Sequence, residues 1–263
     1  MRFIYLVLLL LLGANGVRAE TLVIAGTGDS QNLLRRLAPM FERQHPGVTV
    51  QIPDSIGSRG GIKAATAGQA DLGRTARPLQ PSDAPGLVEY RFAISPIIFV
   101  AHPSVEGVTN ITSAQIVDIY AGRIDNWGQL NGPRHRLYPV DREQGDSSRS
   151  VLESKLAGFA GLKSPAKIFF STPETVEALV HNPYAFGYLP LPEVAQTDMK
   201  RLSVEGVNAS AENVISGRYP YTTDFYIVSK GSAVGNAKAF INFLYSEPAK
   251  KIIREFGAVP VAK

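Results

Sequence analysis

The chain has 263 residues, 44% hydrophobic and 19% charged, with a formal net charge of +4 and a mean hydropathy near zero. That composition belongs to a globular protein large enough to bury one large or two modest α/β cores, and it argues against a disordered, fibrous or multi-span membrane chain. Without cysteine there are no disulfides, zinc-thiolate sites or cysteine nucleophiles; the four histidines, at 45, 102, 135 and 181, are too far apart to form a helix-borne zinc pair, and the charge excess is too small and scattered to predict nucleic-acid binding.

The first segment reads as an export signal. Arg2 precedes an unbroken apolar run, Leu6–Leu12; Gly13–Gly16 breaks it, and Val17-Arg18-Ala19 sets small side chains at the −3 and −1 positions of a cleavage site before Glu20. The run is too short to span a bilayer. Residues 1–19 are therefore expected to be removed, and Glu20 offers no thiol for a lipid anchor. The expected product is exported, most simply to a bacterial periplasm, with no membrane insertion after cleavage.

From there strands and helices alternate. Thr21–Ala25 is an apolar strand; Gly26-Thr27-Gly28 turns it, and Asp29 or Ser30 is placed to cap a helix running to about Gln44, with Leu33, Leu34, Leu37, Met40 and Phe41 as its apolar stripe. Val48–Ile52 reads as a strand, Ser58–Gly68 as a short helix and Asp71–Thr75 as a third strand. Phe92–Ala101 is a long apolar strand interrupted by Ser95-Pro96, followed by a helix at Ser113–Tyr120, a turn at Asn126-Trp127-Gly128 and a strand at Leu137–Val140. Gly145-Asp146-Ser147-Ser148 opens a helix to about Leu156; Ile168–Phe170, a helix near Glu174–Val180, and Ala185–Leu189 continue the alternation. Asp224–Val228 is a strand, and Lys238–Tyr245 and Ala249–Phe256 are closing helices. Units of this length predict parallel sheets with helices on both faces.

One feature occurs twice. Gly28-Asp29-Ser30 and Gly145-Asp146-Ser147 each follow an apolar strand and open a helix, about half a chain apart. Two similar lobes facing across a cleft would bring both helix N-termini, with their free N–H groups, to one anion.

Several further motifs accompany these two. They are Ser55-Ile56-Gly57-Ser58-Arg59-Gly60-Gly61-Ile62-Lys63, Asp71-Leu72-Gly73-Arg74-Thr75-Ala76-Arg77-Pro78-Leu79, Ile119–Trp127, Arg142-Glu143-Gln144-Gly145-Asp146-Ser147-Ser148-Arg149, Phe186-Gly187-Tyr188 and Tyr219-Pro220-Tyr221. In order and spacing the set resembles the phosphate-binding proteins of phosphate ABC importers, a branch of the type II periplasmic binding proteins. The resemblance implies an α/β fold of two lobes, each a mainly parallel sheet flanked by helices. Lobe 1 would be 20–95 plus 225–263 and lobe 2 would be 96–224, joined by a hinge at Ala93–Pro96 and Tyr219–Asp224. It implies no enzyme, no metal and no cofactor, but a monomeric solute-binding protein that hands an oxyanion, phosphate first, to a membrane ABC permease. Carried over by position, Ser30 and the Gln31 backbone would meet the ligand at the first helix and Ser58 at the second, with Arg59 beside it. Arg142 would be the charged clamp, with Asp146, Ser147 and Ser148 at the N-terminus of its helix, and Arg77 would add charge at the cleft or pack against Asp71. Glycines 57, 60, 61 and 145 would let backbone approach the ligand.

Three departures qualify the pattern. Ala76 stands where the family often has a carboxylate or hydroxyl able to accept the proton of hydrogen phosphate and so reject sulfate; Asp146 replaces a hydroxyl donor; and Asp29 stands where a small neutral residue is usual. Either Asp29 or Asp146 takes over the proton-accepting role, or the site serves another ligand, an organic phosphate or an amine-bearing solute. A sensing rather than transporting role keeps the same fold. Gly28-Asp29-Ser30 also matches the nucleophile block of exported esterases, but such an enzyme needs a base histidine with an aspartate three residues before it. The last histidine, His181, has Ala178 there.

Overall fold

The computed structural model describes residues 20–263; the predicted signal, 1–19, lies outside the described residues. The chain runs β1 (Glu20–Gly26), α1 (Gln31–Gln44), β2 (Val48–Gln51), α2 (Gly57–Thr66), β3 (Leu72–Thr75), β4 (Leu87–Ala101), β5 (Asn110–Ile111) and α3 (Ser113–Tyr120). It continues with β6 (Tyr138–Arg142), α4 (Ser147–Lys155), β7 (Lys167–Phe169), α5 (Thr172–His181), β8 (Ala185–Pro190), α6 (Leu191–Val194) and β9 (Lys200–Val204). The last elements are α7 (Ala211–Ile215), β10 (Thr222–Lys230), α8 (Gly235–Leu244), α9 (Glu247–Glu255) and β11 (Val259–Pro260). The alternation read from the sequence is present. β5, α6, β9, α7 and β11 were not anticipated, because runs of two to five residues are too short to show a period.

The fold is α/β, a central sheet flanked by helices, with strand order β2-β1-β3-β10-β4-β8-β6-β7. The sheet is more mixed than a mainly parallel expectation. β2-β1-β3 and β8-β6-β7 are parallel, as crossover helices require, but β4 and β10 are antiparallel to each other and to their outer neighbours β3 and β8. These two long strands traverse the molecule in opposite directions, which sets their polarity.

Apolar residues along β4 and β10 change core part-way. Phe92, Ala93, Phe225 and Ile227 belong to one hydrophobic cluster with α1, α8 and α9; Ile97 and Phe99, with Tyr219 and Tyr221 just before β10, belong to a second with α3, Trp127 and Phe186. A third cluster, on the other face of β4 and β8, gathers Ile98, Val100, Leu179, Leu191 and Val194. Ser95-Pro96 does not interrupt β4. Pro96 stands where β4 leaves β10 and takes up β8, so its missing N–H falls at the junction of two ladders.

Gly61 shows how tightly α2 is seated. A Cβ there would lie 2.7 Å from Gly26 Cα, 2.8 Å from Ala25 O and 2.9 Å from Arg74 O, all main-chain atoms. The glycine therefore serves helix-on-strand packing rather than ligand approach, a correction to the expectation above. Gly60, likewise, faces the Ile56 side chain. Gly61→Ala is expected to cost about 1–3 kcal/mol by overpacking and to lower Tm by several degrees; a thermal melt unchanged from wild type would contradict it.

Candidate functional site

A cleft of about 1360 Å3 opens between the N-terminal ends of α2 and α4, lined by Ser58, Arg59, Ala76, Arg77, Arg142, Asp146 and Ser147 among others. Asp29, Ser30, Gln31 and Ser148 are not on its wall but fully buried. The expected site residues therefore divide into a cleft-facing set and a buried set.

Arg142 joins the two. Its side chain is 5% exposed, and its Nη2 pairs with Asp146 Oδ2 at 2.7 Å. Its Nη1 donates to Thr172 Oγ1 at 2.9 Å, and its buried Nε has no partner. Thr172 Oγ1 in turn donates to Asp29 Oδ1 at 2.6 Å, while Ser148 Oγ donates to Asp29 Oδ2 at 3.3 Å. Beside Asp29, the buried Ser30 Oγ also lacks a partner. Above this layer Ser58 Oγ and Ser147 Oγ meet at 3.1 Å, and Ser58 Oγ accepts the Ala76 N–H at 3.0 Å. The α1–α2 side and the α4–α5 side of the cleft are thus joined directly by side chains.

The two aspartates behave differently. Asp146, expected at the ligand, is the N-cap of α4: its Oδ1 accepts from Arg149 N–H at 3.0 Å, and its other oxygen is held by Arg142. Asp29 caps nothing. Thr27 Oγ1 takes the Asp29 N–H at 3.2 Å, a single 3-10 turn spans Gly28–Ser30, and Ser30 stands at the N-cap of α1 without a side-chain bond. The Asp29 carboxyl is left free to reach α4 and α5. Burial pushes it up to about 6, helped by the charge of Asp146 and opposed by Arg142 and by the hydrogen bonds from Thr172 and Ser148.

Three expected roles are corrected. The Gln31 N–H is used within the turn, on Gly28 O, and its side-chain oxygen accepts from Arg74 Nη2 at 3.0 Å, so Gln31 is held by protein. Arg77 is not a free charge: its guanidinium makes a two-pronged contact with Asp83 at 2.8 and 3.1 Å, which holds the Asp83 carboxyl below the ordinary carboxylate range. Asp71 is not its partner but accepts the Val23 N–H at 2.7 Å. Arg59 is exposed at the cleft wall, away from the buried layer.

Thr172 was missed. Ser171-Thr172-Pro173-Glu174 carries a helix-start signal, and Ser171 does cap α5, but nothing local shows that the next hydroxyl bridges Arg142 to Asp29. Arg74 was also missed: fully buried, it donates to the main-chain oxygens of Thr27, Ile24 and Pro53 and so ties β1, β3 and the segment after β2 together beneath the site. Among the described residues no group of three or more His, Asp or Glu is placed to hold a metal ion.

The arrangement is suited to a small oxyanion: one buried guanidinium with a free N–H, several hydroxyls, and a carboxyl able to take a proton. Comparison with known proteins points the same way. The phosphate-binding protein PstS of Bacillus subtilis is 28% identical over 246 residues, covering 92% of this chain and 81% of the relative. A solved structure from Clostridium perfringens, described as a phosphate ABC transporter substrate-binding protein with bound phosphate, superposes with a TM-score of 0.81 at 28% identity, over 92% of this chain and 100% of that one. An ABC-type phosphate transport receptor from Vibrio cholerae gives a TM-score of 0.65 at 28% identity, over 90% of this chain and 99% of that one. The model of the PBP superfamily domain matches residues 14–248, and the chain belongs to that family.

Proposed function

We propose that this protein is an exported solute-binding protein that captures inorganic phosphate in the cleft and delivers it to an ABC permease, without chemistry on the ligand. The observation that carries the reading is the buried Arg142 guanidinium, with an unpartnered Nε, in one layer with Asp29, Thr172 and the unpartnered Ser30 hydroxyl. The names of the Bacillus, Clostridium and Vibrio relatives support it. In this reading lobe 1 is 20–95 with 225–263 and lobe 2 is 96–224. The change of core between Ala93 and Ile97 and between Tyr221 and Phe225 supports a hinge at those two crossings. Ser30, Ser58, Arg142 and Ser147 are the ligand donors, and Ser148, whose hydroxyl donates to Asp29, supports that carboxyl. No helix among the described residues is long and apolar enough to cross a membrane, which fits a ligand carrier working beside its permease.

Asp29 takes the place of the proton acceptor absent at Ala76. Asp146 does not, because it is ion-paired with Arg142 and caps α4 through the Arg149 N–H, whereas Asp29 is held only by the hydroxyls of Thr172 and Ser148 and has no arginine on its carboxyl. Above a pH of about 6, Asp29 is ionised and can only accept, so hydrogen phosphate, which has a proton to give, is preferred over sulfate, which has none. Below it, Asp29 carries its own proton and can donate to either ion. Calorimetric titration is expected to show phosphate binding with sulfate silent near pH 8, and sulfate competing below pH 6. Asp29→Asn is expected to bind sulfate at both. No heat from phosphate at any pH would sink the functional reading; an unchanged preference in Asp29→Asn would sink the role of Asp29.

A further inference from the structure

Among the described residues three buried polar side-chain atoms lack a partner: Ser30 Oγ, Arg142 Nε and Glu193 Oε2. The first two belong to the site. Glu193 is nowhere in it, yet is only 3% exposed. It sits on α6, whose Leu191 and Val194 are anchored in the third cluster, and its carboxyl reaches across to α1, where Oε1 accepts the Asn32 N–H at 3.1 Å. Because Ser30 makes no capping bond, α1 takes its cap from a residue 161 positions away.

The charges facing Glu193 do not neutralise it. Asp29 precedes α1 and is a second buried carboxyl. Arg74, on β3, spends its N–H groups on Thr27, Ile24, Gln31 and Pro53. Arg35, on α1, spends its own on Ile52 and Asp54. Burial pushes the Glu193 carboxyl well above the usual range; the Asn32 N–H opposes, Asp29 adds, and the two arginines oppose. A buried carboxyl with one oxygen unpartnered and an acidic neighbour is favoured in its neutral form.

We propose that Glu193 is a positioning residue for ligand capture: as a neutral carboxylic acid it caps α1 from the opposite side of the cleft, sets Asp29 and Ser30 against Thr172 and Ser148, and makes the drawing together of the two sides depend on one proton. This rests on the ligand-cleft reading above. With Glu193 neutral, Asp29 is free to ionise without a second negative charge beside it.

The test compares wild type with Glu193→Gln, ligand-free, by thermal or urea unfolding between about pH 5 and 8. A raised carboxyl contributes stability that is present at low pH and lost as pH rises. Wild type and Glu193→Gln are therefore expected to unfold alike near pH 5 and to diverge above it, the wild-type unfolding constant rising up to about tenfold per pH unit relative to the variant. Curves that stay parallel overturn the proposal. Should the variant not fold, carbon-13 carboxyl spectra of Glu-labelled wild type replace it. One glutamate still protonated above about pH 6 supports the proposal, and all glutamates titrating below about pH 5 overturn it. Phosphate titration of Glu193→Ala is expected to show a several-fold weaker Kd, restored by Glu193→Gln; a Kd equal to wild type in Glu193→Ala overturns the positioning role. The unfolding test uses no ligand. If phosphate fails to bind wild type while the pH divergence stands, the functional reading falls and the proton-carrying cap does not.

Discussion

Arg142→Ala is expected to abolish measurable phosphate capture, weakening the Kd by about 10²–10³-fold or more, the range for truncating one partner of a buried, hydrogen-bonded charge pair. Two losses combine. The guanidinium that would pair with the oxyanion disappears, and Asp146 and Asp29 are left as buried carboxyls with no cation between them. The cleft then presents negative charge to an anion. Arg142→Lys keeps the charge but not the fork that reaches Asp146 and Thr172 together, so it is expected to recover only part of the affinity. Calorimetry on ligand-stripped protein checks both, and a Kd for Arg142→Ala within about threefold of wild type would remove Arg142 from the site.

The largest stability effect is expected one layer deeper. Asp141, 1% exposed, forms a buried ion pair with Arg149, and its Oδ1 accepts from Tyr188 Oη at 2.6 Å and from the Arg142 N–H at 2.8 Å. Arg149 donates back to Arg142 O at 3.1 Å and to Glu153 Oε1 at 2.9 Å, and lies over the Phe159 ring with 5.6 Å from its guanidinium carbon to the centroid. The main chain of Arg142 is thus gripped on both its N–H and its carbonyl by this pair. Asp141→Ala takes from Arg149 its buried partner, leaves it only the more exposed Glu153, and leaves Tyr188 Oη without its acceptor. The expected cost is about 3–5 kcal/mol, or a fall in Tm of roughly 10 °C or more, read by calorimetric melting. Asp141→Asn, which keeps an oxygen toward Tyr188, is expected to recover part of it. A melt of Asp141→Ala within about 2 °C of wild type would show that the pair carries little. Phosphate affinity is expected to fall as well, since Arg142 loses its footing.

The order of elements was legible because each long helix and strand carries its own period. The stripe from Leu33 to Phe41, the run into Ala101 and the caps before α3, α4, α5 and α9 are local signals, decided by side chains three or four residues apart. The clustering of Ser58, Arg142, Asp146 and Ser147 was legible because the motifs that carry them resemble a known pattern. The partners of those residues were not. The sequence reading gave the Gln31 backbone to the ligand and Arg77 to the cleft or to Asp71, but the Gln31 N–H is spent on Gly28 and Arg77 is held by Asp83; Asp29 reads locally as a helix cap but turns across to Thr172 and Ser148.

The sequence by itself determined the α/β alternation and the chemical repertoire: no thiols, few histidines, hydroxyls and guanidinium groups at helix starts. Only the tertiary structure decided which carboxyls are buried, which cations they neutralise and which helix end is capped from afar. The physical reason is range. Helical and strand periods are fixed within a few residues, whereas the protonation and pairing of Asp29 and Glu193 depend on desolvation and on neighbours more than a hundred positions away.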